Sequence, residues 1–225
     1  MEDAVEEKLE IDIKREFQLE RMVLFSDAVF AIVITLLAIE IKIPESEKKY
    51  SSDELLHHVK LLVPTILAYA SSFIVIGIVW YKHLQIFARL KDYDKGLVIR
   101  NLALLFCIGL FPFGASMVSH PNNIILPYIV YFIVVFMCNI AQVTLHYYIF
   151  YQNPALLHTP PTNVERLKVK TALILISTLG ISATIAGILF VLIDNPEYKP
   201  FALFIVLSVP LLRRYLDRKN KLKQD

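Results

Sequence analysis

Apolar residues fall along this chain in long blocks separated by charged connectors. A bilayer-spanning helix needs about 20 consecutive, mostly apolar residues. Six blocks approach that length: Val23–Ile43, Leu61–Tyr81, Leu97–Val118, Ile124–Tyr148, Thr171–Ile193 and Phe201–Leu216. The pattern predicts an all-α membrane protein with six transmembrane helices. The sixth block is the weakest, because Pro210 interrupts it. Pro127 and Pro200 stand near helix starts, where a missing N–H is tolerated. Pro112 stands inside the third block and predicts a kink. The divisions expected are a cytoplasmic arm over 1–22, a six-helix membrane domain over 23–216 and a basic cytoplasmic tail over 217–225.

Composition agrees with this pattern. Of 225 residues, 56% are hydrophobic and 20% charged, with a mean hydropathy of +0.55. Soluble domains average about 45–50% apolar. The net charge of +2 carries little, but its placement orients the chain. Eighteen of the 23 Lys and Arg fall in the N-terminal arm, the second and fourth connectors and the C-terminal tail. Five (Lys42, Lys48, Lys49, Lys60 and Lys199) fall on the other side. Lys and Arg concentrate on the cytoplasmic side of membrane proteins, so both termini are expected there. The first 22 residues mix acids and bases with no apolar run, so no secretory signal is expected. They read either as a charged helix or as a solvated terminus.

Chemistry concentrates at the mouth of the first block. Val23–Ile39 holds one charge, Asp27. A carboxylate in a span costs roughly 2.5–3.5 kcal/mol near the centre and less near an end, so it needs a partner or water. At 100° per residue, Ile32, Leu36 and Ile39 share one stripe, extended by Val29 and Phe25, while Asp27 points about 140° away. The stripe by itself fits helix packing or lipid contact. Asp27 by itself fits an ion pair or a helix cap, since helix N-termini favour carboxylates. His83 and Asn101 fall at the same membrane level as Asp27, with Trp80 beside them, and could offset its desolvation. Asn139, Gln142 and His146 share a face of the fourth helix and read as interhelical glue. Gly180, Ala183 and Gly187 read as a close-packing stripe. His57, His58, His120 and His158 read as solvated loop residues. Cys107 and Cys138, inside spans and without a CxxC neighbour, read as packing residues. No HExxH, Gly-x-Ser-x-Gly or ligand-spaced Cys/His cluster occurs, so an enzyme and a metal site are not expected.

The string Arg21-x-x-x-Phe25-Ser26-Asp27 before an Ala/Val/Ile/Leu-rich helix resembles the signature of the transmembrane protein 175 family, the endolysosomal potassium channel and its prokaryotic single-repeat relatives. Trp80-x-x-His83, Asn101 and Phe111-Pro112-Phe113 extend the resemblance over roughly residues 20–120. It implies a potassium-permeable channel in the cell membrane, built as a homotetramer with the first helix of each subunit lining a central pore. It implies that Ile32, Thr35, Leu36 and Ile39 form the constriction, and that Arg21, Phe25, Ser26, Asp27, Trp80, His83 and Asn101 hold that helix in place. Permeant monovalent cations and lipid are the implied partners, with no cofactor and no nucleic acid. The alternative is a proton- or ion-coupled secondary transporter using Asp27 and His83.

Overall fold

The computed structural model describes residues 2–39, 41, 62–119, 126–175 and 178. The stripe at Gly180, Ala183 and Gly187, the sixth span, the basic tail, the connector holding His57 and His58, and His120 lie outside the described residues, as does most of the fifth span. The chain divides into one unit formed by 1–149 with 155–160 and a second formed by 150–154 with 161–225.

Among the described residues the first unit holds five α-helices: α1 (Glu2–Ile39), α2 (Val63–Phe87), α3 (Lys95–Gly109), α4 (Phe111–Ser119) and α5 (Leu126–Tyr147). Among the described residues, three stretches are long and apolar enough to cross a membrane: Ile13–Ile39, Lys95–Met117 and Ile129–Gln152. No strand occurs among the described residues, apart from a single bridge pairing Leu90 with Leu157.

α1 runs unbroken through the charged arm. Its 38 residues extend about 57 Å at 1.5 Å per residue, well beyond a hydrocarbon core of about 30 Å. The arm is rich in Glu, Lys and Arg, which are good helix formers, and Lys14 pairs with Glu10 one turn away at 2.7 Å. Arg15 reaches the α2–α3 connector, meeting Asp92 at 2.9 Å. The buried side of α1 carries Leu19, Ser26, Phe30, Val33 and Leu37, a seven-residue repeat turned onto α2, α3 and α4.

The third predicted span is two helices. The regular helical hydrogen-bond pattern is interrupted at Leu110, which keeps right-handed helical backbone angles, and resumes at Phe111, next to Pro112. Proline cannot donate to the carbonyl four residues back, here Ile108, and its ring crowds that group. The last turn of α3 tightens in response, with Leu110 N bonding Cys107 O at 3.2 Å. α2 continues to Phe87, beyond the span's expected end at Tyr81, because helix length is set by tertiary packing rather than by bilayer thickness.

The polar end of α3 is tied to Tyr148, the residue that directly follows α5. Asp94 caps α3, with its Oδ1 accepting from Leu97 N at 2.7 Å, and its Oδ2 accepts the Tyr148 hydroxyl. The Tyr148 ring lies against Gly96, where an added Cβ would meet the hydroxyl and would stand 2.6 Å from ring carbon Cζ. Gly96→Ala is therefore expected to cost roughly 1–3 kcal/mol by overpacking. A thermal-melt shift that Tyr148→Ala relieves would establish the clash, and a neutral Gly96→Ala would refute it.

Of the polar set on the fourth span, Gln142 reaches across to α2, donating to Val79 O at 3.2 Å. Asn139 donates to Val135 O and His146 bonds Gln142 O, both on their own helix. Ser72 and Tyr131 add a second α2–α5 bond at 2.8 Å. Cys107 and Cys138 are buried free cysteines.

In the second unit a helix occupies 163–175, beginning eight residues before the predicted fifth span. A capping box starts it: Glu165 Oε2 accepts from Thr162 N at 2.8 Å, while Thr162 Oγ1 accepts from Glu165 N at 3.3 Å. Tyr151 donates to Arg166 O at 2.6 Å.

Candidate functional site: a polar anchor and an exposed apolar face on α1

α1 has two faces with opposite fates. On the inner face, Ser26, His83 from α2 and Asn101 from α3 form a buried polar chain, with exposures of 0%, 1% and 1%. Ser26 Oγ donates to Met22 O at 2.8 Å, since a carbonyl can only accept. The hydroxyl proton is thereby used, so Ser26 Oγ accepts from Asn101 Nδ2 at 2.8 Å. Asn101 Oδ1 then faces His83 Nε2 at 2.9 Å, and Nε2 must be the donor. Donation runs from His83 through Asn101 and Ser26 to the accepting Met22 carbonyl, and each link fixes the direction of the next.

The other ring nitrogen, His83 Nδ1, is buried with no hydrogen-bond partner among the described residues. With Nε2 protonated, the neutral imidazole leaves a lone pair at Nδ1 rather than an orphaned N–H. Aromatic rings surround it. Phe87 stacks on the imidazole at 3.9 Å and Phe30 lies at 5.6 Å.

Asp27 makes a separate contact. Its Oδ1 accepts the Trp80 indole N–H at 2.9 Å, toward the outside of the bundle. The structure therefore brings together Ser26, His83 and Asn101, and independently Asp27 and Trp80. It does not bring in Arg21 or Phe25. Arg21 reaches Gln18 Oε1 at 3.5 Å and lies 6.0 Å from the Phe17 ring centre, and Phe25 is exposed.

The outer face holds the other candidates. Ile32, Leu36 and Ile39 are 56%, 43% and 52% exposed, and Thr35 is also exposed, with its hydroxyl donating to Ile32 O at 2.8 Å. Because α1 is unbroken, Arg21 and Phe25 lie on this same outer face, within about 20° of Ile32 at 100° per residue. Phe30, Val33 and Leu37 are the anchoring residues that the sequence reading passed over. Their spacing from Ser26, at i+4, i+7 and i+11, was the available signal.

A model of the endosomal/lysosomal potassium channel TMEM175 matches residues 21–112. That segment contains the α1 motif, both of its buried partners and the Asp27–Trp80 pair. Over that segment the chain is similar to the transmembrane protein 175 family. A potassium channel of Streptomyces collinus is 37% identical over 99 residues, covering 44% of this chain and 47% of the relative. A potassium channel of Chamaesiphon minutus is 32% identical over 116 residues, covering 50% and 57%. The human endosomal/lysosomal proton channel TMEM175 is 29% identical over 118 residues, covering 50% of this chain and 23% of its own length. The chain spans about half the length of the bacterial relatives it matches. The fold is similar to the crystal structure of a lysosomal potassium-selective channel TMEM175 homolog from Chamaesiphon minutus, with a TM-score of 0.59 and 22% identity over 91% of this chain and 99% of that one. These relatives are named as ion channels, and the described residues of this chain hold stretches long and apolar enough to cross a membrane.

Proposed function

We propose that this chain forms a potassium-permeable cation channel whose pore is lined by the outer face of α1 from several copies. The observation that carries the reading is the contrast between the two faces of one helix. The inner face is anchored by a directional polar chain, and the outer face presents Ile32, Thr35, Leu36 and Ile39 away from its own bundle. One chain contributes one side chain at each level, and a constriction needs a ring. The assembly in this reading is a homotetramer of six-helix subunits with both termini cytoplasmic, in the plasma membrane. Residues 1–22 form the arm, 23–216 the channel domain and 217–225 the basic tail. Rings of aliphatic side chains gate by dewetting and discriminate by constriction size. The permeant ion is the only small species the mechanism requires.

The human relative's name as a proton channel favours testing protons beside potassium. The transporter alternative, with Asp27 and His83 as a relay, has less support. Asp27 accepts from an indole N–H, which passes no proton onward, and the donor chain from His83 runs to Ser26 and Met22 O instead.

Purified protein in liposomes under a potassium gradient is expected to carry current that reverses near the potassium equilibrium potential and shifts when sodium replaces potassium. Reversal that ignores the potassium gradient, or flux that requires a coupled second substrate, would defeat the reading.

A further inference from the structure

α3 and α5 do not close on each other along their whole length. Arg100, Ala103 and Cys107 lie at i, i+3 and i+7 on α3, and Met137, Ala141 and Thr144 lie at i, i+4 and i+7 on α5. These two stripes face each other across an open groove of about 300 Å³. That volume is at the lower end of ligand clefts, which run from about 300 to 1,000 Å³. Small side chains create the groove, since Ala103 and Ala141 leave space that leucine would fill. Its walls are almost wholly apolar, and its one charge is Arg100, near the polar end of the candidate span Lys95–Met117.

Arg100 is held in place rather than sweeping freely. Its guanidinium stacks on the Tyr148 ring at 4.0 Å and donates to Gly96 O at 3.0 Å. A fixed cation at the polar end of an apolar groove matches a molecule with an anionic head and a hydrocarbon tail. A guanidinium suits phosphate because its planar fork donates in parallel to two oxygens.

We propose that this groove binds an anionic phospholipid, with an acyl chain between Ala103 and Ala141 and the phosphate at Arg100. The site is on the α3–α5 side of the bundle and is independent of the α1 face, so it does not rest on the channel reading. A helix from a second copy could fill the apolar part but would bring no phosphate to Arg100. Lipid supplies both halves.

Native mass spectrometry of the full chain, titrated with phosphatidylglycerol or phosphatidylcholine, tests this. One basic residue near a membrane surface favours anionic lipid by about fivefold. The wild type is expected to show that preference. Arg100→Gln should bring the two lipids to parity, and Arg100→Lys should retain part of the preference. Ala141→Leu should lose bound lipid of both kinds, and Ala103→Leu provides a second groove-filling variant should the first fail to fold. The proposal is overturned if the wild type shows no preference, if Arg100→Gln keeps it, or if adducts persist in both leucine variants. It is overturned equally if the wild type self-associates and Ala141→Leu abolishes that association while leaving lipid adducts unchanged, which would assign the groove to a second copy.

Discussion

Asn101→Leu is expected to destabilise the folded bundle by roughly 2–4 kcal/mol, because it leaves two buried groups without their partners at once. His83 Nε2–H loses its acceptor, and Ser26 Oγ loses its donor. The cost arises from orphaning, at about 1–3 kcal/mol per buried group, rather than from the modest net value of each bond. The triple variant Ser26→Ala, His83→Phe, Asn101→Leu removes every member of the chain together. It should therefore unfold at a higher temperature than the Asn101→Leu single variant. Trp80, bonded to Asp27 at the edge of the same site, provides an intrinsic fluorescence signal for both melts. A single variant that melts with the wild type, or a triple that is worse than the single, would show that the chain is not the anchor of α1.

That anchor was partly legible in the residues alone. A lone Asp27 in an apolar run marks a site, and His83 and Asn101 at the same level are natural partners. Which donor meets which acceptor depends on how three helices approach, and that information is tertiary. Ser26 and Asp27 are adjacent, yet one is fully buried and the other turns outward to Trp80. Nor did hydropathy separate the faces of α1, because Phe30, Val33 and Leu37 are as apolar as Ile32, Leu36 and Ile39. In a membrane protein the inside and the outside of a bundle can share one composition, so amphipathic periodicity loses its power. The break before Pro112 was readable because its cause is covalent. The extension of α1 to Glu2 was left open because charge ends a membrane span without ending a helix. The start at residue 163 was readable from Thr162 and Glu165, and was obscured by attention to apolar length alone.

Ile32→Asn and Leu36→Asn are expected to change conductance and the preference of potassium over sodium, while the same degree of disruption on the opposite face should not. The physical reason is the side of α1 each residue occupies. In the proposed assembly, an amide at position 32 or 36 is repeated around the pore and gives water and ions hydrogen-bonding groups where only methyl groups stood. A barrier lowered by about 1.4 kcal/mol raises flux tenfold, so even a partial wetting of the ring should be visible in single-channel current. Loss of size discrimination should move the reversal potential under potassium–sodium exchange toward zero. Leu37→Ala, one residue along but buried at 1% exposure, removes packing against the bundle instead. It should lower stability by roughly 2–5 kcal/mol and leave the reversal potential of the surviving channels unchanged. Bilayer recordings and thermal melts on the three variants separate the two faces. Unaltered selectivity in both asparagine variants, or an equal selectivity change in Leu37→Ala, would remove the outer face of α1 from the permeation path.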